Sequence, residues 1–350
     1  MKITRQPTII DVAEQCGYSK STVSLVLQGS SEIPLSTQAK VMEAVSQLGY
    51  RQNRFARGLR TSRSQTIGMV IQDHLNPFYS ELVQHVEILL RQRGFDLIIS
   101  SSNSNRDLER KAIEQLIDHH VDGMIVSAME YKPVEAILRS IEKRGIACVV
   151  AGPPSYSIPF KSATISTANA THDMMEHLVS LGHSAIAFIW GAPSYQGIGS
   201  RFEIFCKELA DHGLPMREDW VVHCGVRIRD GYNAAKALLA AKERPTAIFA
   251  LNDILATGVM RAAKDLGLRI PEDLSVVGVD DVELSTFLCP SLTTVSLDVC
   301  HYADALTSLV LETIEKTDSS PRRIELEAKL VIRESTGPVP RARASRRLKA

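Results

Sequence analysis

Ile67-Gly68-Met69-Val70-Ile71, an amphipathic run from Tyr79 to Arg93, Gly94, then Phe95–Ser100: this stretch of the 350-residue chain decides the fold. The first and last pieces are short apolar runs, as expected of strands buried on both faces of a sheet. The middle piece has helical spacing and stops at a glycine, the residue that best adopts the left-handed turn at a helix end. Strand, helix and strand in that order make a parallel crossover unit. The rhythm continues outward through helix Asp107–His119, strand Gly123–Ser127, helix Val134–Lys143 and strand Ala147–Val150. It resumes with helix Ala168–Leu181, strand Ala185–Trp190, helix Ser200–His212, strand Trp220–His223 and helix Gly231–Ala241. Strand Ala247–Leu251, helix Ile254–Leu266 and strand Leu274–Val279 close the series.

So many units exceed one comfortable sheet. The Pro/Ser-rich break Gly152–Ser162 divides them into two α/β lobes, each a parallel sheet covered by helices, with a cleft between. In such sheets ligands bind beyond the carboxyl ends of the strands. That gathers the loops after Ile71, Ser127, Trp190, Leu251 and Val279 around one site.

Composition narrows the class. With 44% apolar and 23% charged residues the chain has material for a large core. No window of eighteen uncharged apolar residues offers a membrane span, and the first residues lack the apolar stretch of a secretory signal. Six widely spaced cysteines show neither C-x-x-C nor zinc-ligand spacing, as expected of reduced thiols in a cytoplasmic protein. The charges balance at 40 basic and 40 acidic, but unevenly. Residues 1–65 hold nine Lys/Arg against four Asp/Glu, the segment 338–350 holds five against none, and the middle is acidic. A cationic end on an anionic body suits a protein that meets a polyanion; a solvated basic arm would give the same count.

The first 65 residues carry no strand pattern, only helical stretches Ile10–Cys16, Lys20–Leu27 and about Leu35–Leu48. Thr8 and Ser19 stand as N-caps, and Gly49 stops the third stretch. Two short helices joined by Gly17-Tyr18-Ser19 match a helix-turn-helix, with Val12, Val23, Val26, Val41 and Leu48 as a small shared core. A plain three-helix bundle has the same spacing, and the local positive charge favours DNA.

Further residues sharpen the reading. Ile10-Asp11-Val12-Ala13, Gly17, Ser19, Thr22-Val23-Ser24, Leu48-Gly49-Tyr50, Asn53, Ala56-Arg57, Leu59 and Thr66-Ile67-Gly68 stand in this order. They continue with Asn76-Pro77-Phe78-Tyr79, Val121-Asp122-Gly123, Gly182-His183, Arg201, Asn252-Asp253, Gly278-Val279-Asp280 and Leu292-Thr293-Thr294. The ordered set resembles the LacI/GalR family of bacterial transcriptional regulators and extends to about Arg333. The resemblance implies a helix-turn-helix DNA-binding headpiece over residues 1–50 and a hinge segment over 51–65. It implies a two-lobed periplasmic-binding-protein-like core over 66–337 that binds a small effector and dimerises. Residues 338–350 form a basic tail.

In that geometry the second helix enters the major groove and its first residues meet base edges. Lys20 can donate to guanine and Ser21 to either kind of partner. Leu25 stands where relatives often carry a polar side chain, so an apolar contact such as a thymine methyl is expected there. Ser19, Thr22 and Ser24 suit phosphate oxygens, as do Arg51 and Arg54. Residues 53–60, with Asn53, Arg57 and Leu59, resemble the hinge helix. Eight residues with a central Gly58 are too few to hold a helix alone, so folding on DNA is expected, with Leu59 as a minor-groove wedge.

For the effector, matching positions put Phe78, Tyr79, Arg201, Asn252 and Asp280 at the ligand. Rings beneath a sugar's C–H face and bidentate polar groups on its hydroxyls are the chemistry such a pocket needs. Asn252 can equally cap the following helix, and Arg201 can face solvent. The sequence departs from the pattern at Gly152, Ser166 and Val226, with Arg227 and Arg229 nearby, so a sugar acid or phosphosugar joins the neutral sugar as expected ligand. Gly197-Ile198-Gly199 has no third glycine at dinucleotide spacing. No G-x-x-x-x-G-K-[ST], G-x-S-x-G or H-E-x-x-H occurs, so an enzyme is not expected, nor any cofactor or metal. A transport binding protein of the same fold would need export. The tail, Arg341, Arg343, Arg346, Arg347 and Lys349, lacks leucine heptads, so a homodimer on a palindromic operator, not a coiled-coil tetramer, is expected.

Overall fold

The computed structural model describes residues 7–27, 29–50, 63–128, 131–152, 158–191, 199–315 and 320–339. The chain divides into two compact units, Met1–Gln65 and Thr66–Ala350.

The small unit holds α1 (Ile9–Cys16), α2 (Lys20–Leu27) and α3 (Leu35–Leu48). The Thr8 amide and hydroxyl both donate to Asp11 Oδ2, at 2.6 and 2.7 Å, and set the start of α1. Gly17 ends it at φ +73°, a conformation that costs a residue with a Cβ but not glycine. Val12, Val23, Val26, Val41 and Ala44 are buried, with Tyr18, Leu48 and Tyr50 packed around them. Three helices this short are marginal alone, so this shared core is what stabilises them.

The large unit is two six-stranded sheets. Lobe 1 contains β1 (Thr66–Ile71), β2 (Asp96–Ser101), β3 (Gly123–Ser127), β4 (Ala147–Ala151) and β5 (Lys161–Ser166). Its helices are α4 (Pro77–Gln92), α5 (Arg106–Asp118) and α6 (Tyr131–Lys143). The chain then crosses into lobe 2 at α7 (Ala168–Ser180), followed by β6 (Ile186–Trp190), α8 (Gly199–Asp211) and β7 (Val221–His223). α9 (Ile228–Leu239), β8 (Ala247–Ala250), α10 (Asp253–Asp265), β9 (Ser275–Asp280), α11 (Glu283–Phe287) and β10 (Thr293–Ser296) complete that lobe. It returns through α12 (Val299–Glu315) to β11 (Arg323–Glu327) in the first sheet, then crosses again to β12 (Lys329–Val331) in the second.

The sheet orders are β11-β5-β4-β3-β1-β2 and β12-β10-β9-β8-β6-β7. All pairings are parallel except β10 with β12. Three chain crossings therefore join the lobes: after β5, after β10 and between β11 and β12. The expected lobe break at Gly152–Ser162 is corrected on this point: the chain re-enters the first sheet as β5 and crosses only at Ser166–Ala168. β5 reads Lys-Ser-Ala-Thr-Ile-Ser, too polar for an apolar-run search, although it is buried along nearly its whole length.

α9 and α10 touch through glycine. A Cβ on Gly258 would lie 2.1 Å from the Ile228 carbonyl oxygen, and one on Gly231 would lie 2.3 Å from that of Leu255. Gly258→Ala must push the two backbones apart, and the expected destabilisation is about 1–3 kcal/mol, the usual cost of overpacking. Urea unfolding of the core checks it, and an unchanged midpoint would contradict the close approach.

Candidate functional site

In the small unit, the α2 N-terminus carries the predicted recognition residues. Ser19 Oγ accepts the Thr22 amide at 3.1 Å and lies 2.9 Å from the Thr22 hydroxyl, so it is the helix cap. Lys20, Ser21 and Leu25 are exposed. Ser24 is 7% exposed, buried with Val23 and Val26. Arg51, Asn53, Arg54, Arg57 and Leu59 lie outside the described residues, as do residues 340–350 of the tail and the loop 192–198.

In the large unit, strand ends converge on one cluster. β9 ends at Asp280, held at φ +112° and followed by Asp281 at φ +59°. Non-glycine residues in such conformations cost of order 1–3 kcal/mol each and persist only where the surroundings impose them. Here the surroundings are specific. Asp253 Oδ2 accepts the Val282 amide at 3.0 Å, and its Oδ1 accepts the Thr294 hydroxyl at 2.6 Å. Arg333 donates to Asp281 at 2.5 Å and to the Leu292 carbonyl at 2.8 Å. Burial, reinforced by the neighbouring Asp280, pushes the Asp253 carboxyl well above the ordinary range. Asp253 is a positioning residue for the turn.

Asp280 itself accepts a hydrogen bond from Asn76 Nδ2 at 2.9 Å, across the cleft from lobe 1. Asn76 caps α4 with its other atom, Oδ1 accepting the Phe78 amide at 3.1 Å. Arg201 Nη1 donates to the Leu251 carbonyl at 2.9 Å. Burial pushes the Arg201 guanidinium down, while Asp280 and Tyr79 nearby act against it. Burial pushes Asp280 up to about 6, opposed by the Asn76 hydrogen bond and the Arg201 charge. A second cross-cleft link joins Arg227 Nη1 to Asp73 Oδ2 at 2.6 Å.

Of the five expected effector residues, Tyr79, Arg201 and Asp280 come together. Asn252 Oδ1 accepts the Leu255 amide at 2.9 Å, so the capping alternative describes its carbonyl and leaves only its NH2 for a ligand. Phe78 belongs to the buried core beside Leu82 and Val86, edge-on to Tyr79 at 5.3 Å, so Tyr79 is the more accessible ring of the pair. Sequence reasoning missed Asn76 and Asp73 as site residues. The Asn-Pro pair before a helix was the available signal for Asn76: capping uses its oxygen and leaves its amide free to reach outward. It also passed over the aromatic wall at the ends of β6 and β7, where Trp190 meets Phe202 at 4.6 Å and His223 at 5.6 Å.

A two-lobed parallel α/β core with polar groups converging at strand ends, in one chain with a separate helix-turn-helix unit, defines a class: DNA-binding regulators with a periplasmic-binding-protein-like core. The profile of bacterial regulatory proteins of the lacI family matches residues 8–53, and that of the periplasmic binding protein-like domain matches residues 175–336. The chain is 32% identical to catabolite control protein A of Priestia megaterium, over 94% of this chain and 99% of that protein. It is 31% identical to the HTH-type transcriptional repressor PurR of Yersinia pestis (strain Pestoides F), over 95% and 98%. Its fold matches the lac repressor dimer bound to operator and the anti-inducer ONPF with a TM-score of 0.85 at 27% identity, covering 95% and 100% of the chains. It matches the complex of transcriptional regulator CelR with cellobiose at 0.69 and 26%, covering 94% and 99%. This chain belongs to the lacI family of bacterial regulatory proteins.

A carboxyl near 6 when folded and 3.8 when unfolded gains protons on folding, so its ionisation opposes the folded state. That penalty is absent below about pH 4 and complete above about pH 6, on the order of 3 kcal/mol. Asp280→Asn keeps an acceptor for Asn76 and removes the charge. The variant should be more stable than the parent at pH 7, with the gap closing toward pH 4. Urea midpoints across that range check it, and a pH-independent gap would contradict the assignment.

Proposed function

We propose that this protein is a sequence-specific transcriptional regulator acting as a repressor, with operator affinity controlled by a small effector bound between the core lobes. The observation that carries the effector half is the convergence of Asn76, Tyr79, Arg201 and Asp280 at strand ends of both lobes. Buried ionisable groups cost stability and are retained where they bind something. Paired donors and acceptors with an aromatic ring beside them fit a polyhydroxylated ligand, so a sugar, sugar acid or phosphosugar is the ligand class. Relatives point the same way: the transcriptional regulator CelR is seen in complex with cellobiose, and a LacI family regulator from Enterococcus faecium with bound ribose. The function needs no turnover. Relatives are regulators, and binding alone is what this cleft is built for.

For the DNA half, residues 1–50 are the headpiece and 51–65 the hinge, with 66–337 as the core and 338–350 as a basic tail. Lys20, Ser21 and Leu25 read bases in the major groove, and Ser19 and Thr22 orient the helix end toward phosphate. Arg51, Arg54, Arg57, Asn53 and Leu59 extend the contact beyond the described headpiece. Two copies address a palindromic operator in the cytoplasm. Among the described residues no helix is long and apolar enough to cross a membrane.

Duplexes selected by the full chain from a random pool supply the probe. Lys20→Ala should cost about 1–3 kcal/mol on the selected duplex, 5- to 150-fold, and relax preference at one base pair of each half-site. A uniform loss on all duplexes would demote Lys20 to a phosphate contact. Arg201→Ala should abolish the melting-temperature rise given by whichever sugar, sugar acid or phosphosugar stabilises the parent, while leaving affinity for the selected duplex intact. Loss of both, or of neither, would contradict the division between headpiece and cleft.

A further inference from the structure

The three chain crossings all lie along one edge of the lobes. β11 and β12 are the edge strands there, and β5 and β10 are their neighbours. Lobe 2's opposite edge is β7, five strand intervals from β12, which at the usual spacing is about 24 Å away. Arg227 follows β7, and Asp73 follows β1 on the facing lobe. The Arg227–Asp73 pair therefore ties the lobes where no chain crosses. Asn76–Asp280, another link between the lobes, attaches to β9, only two strands from the crossing edge, and Asn169–Glu327 lies at that edge itself.

Lever geometry makes the two links unequal. When two lobes rotate about a hinge, points far from it separate most. A short bond at the open edge thus resists opening more than the same bond near the crossings. The pair is also asymmetric in burial: the Asp73 side chain is 6% exposed, the Arg227 side chain 42%. Asp73 Oδ1 accepts the Leu75 amide at 3.0 Å, which fixes the carboxylate in its loop and leaves Oδ2 for Arg227. Arg227 is anchored in turn at the start of α9, its own amide donating to Asp230 Oδ2 at 3.0 Å. Opening the cleft would leave a buried carboxylate without its cation, the costly way to break such a pair.

We propose that Asp73 and Arg227 form a clasp that holds the effector cleft closed at its open edge before any ligand arrives. The clasp sets the balance between closed and open core, and an effector enters through the state in which it is broken. An effector can shift the core only by its differential affinity for the two states, so the clasp fixes the starting point from which it acts.

The test uses the full chain without DNA or effector, so it stands apart from the proposed ligand class. Spin labels carried by unnatural amino acids at exposed Lys111 in lobe 1 and Asn233 in lobe 2 report the interlobe distance. The parent should give one narrow distribution at low salt. Arg227→Gln and Asp73→Asn should each add a longer, broader population, several-fold larger than in the parent. The double variant should add no more than either single variant, because both remove the same bond. Superimposable distributions in the parent and Arg227→Gln, with melting curves confirming that both are folded, would overturn the clasp. So would lengthening in Asp73→Asn alone, which would assign the effect to the Leu75 turn, or additive lengthening in the double variant.

Discussion

Two parallel sheets whose carboxyl ends face one another impose a single constraint: charged loop residues from both must be buried in one cleft. Asp253 is buried and Arg201 and Asp280 are partly buried there, and burial pushes both carboxyls up and the guanidinium down. The groups offset one another, but incompletely. Asp280 keeps one hydrogen bond from the facing lobe and one nearby guanidinium charge. Asp253 is committed to a hydroxyl and a backbone amide on its own lobe. A core built for stability alone would carry apolar residues at these positions. The backbone repeats the lesson, since Asp280 and Asp281 both sit in the left-handed region, held by Asp253 and Arg333.

The way the lobes are joined bears on how a ligand could act between them. The chain crosses between the two sheets only along one edge. Apart from the Asp73–Arg227 pair, polar links across the cleft such as Asn76–Asp280 can be exchanged for bonds to water or to a ligand. A ligand able to replace Asn76 on Asp280, or to fill the space beneath Tyr79, changes the relative favour of the two arrangements. The headpiece is poised differently. Its three helices depend on a small valine-rich core, and the exposed face of α2 carries a lysine, a serine and a leucine rather than a second core.

Much of the architecture was legible because buried parallel strands are written in apolar runs and their helices end in glycine. β1, β3 and β6 read clearly for that reason. β5 did not, because four of its six residues, Lys161, Ser162, Thr164 and Ser166, are polar; Lys161 pairs with Glu312 at 3.4 Å, while the buried Thr164 hydroxyl has no hydrogen-bond partner among the described residues. The rhythm also failed after β9, since the chain there stops alternating within one lobe and crosses twice more. In the site, the strand-end rule found Arg201 and Asp280. It could not tell that Phe78 turns inward, that Asn252 spends its oxygen on a helix cap, or that Ser24 faces the headpiece core. Those outcomes depend on which side of an element packs. The Asp73–Arg227 pair joins residues 154 positions apart, beyond any local pattern.

The central claim is that a cleft in the core and a helix in the headpiece act on one equilibrium, and thermodynamic linkage tests it without assuming a mechanism. Affinity of the full chain for its selected duplex is measured with and without a saturating effector, and effector affinity with and without that duplex. The two ratios should be equal and between about 5- and 150-fold, because coupling between two sites is reciprocal. Ratios of one in both directions, with both ligands bound, would contradict it.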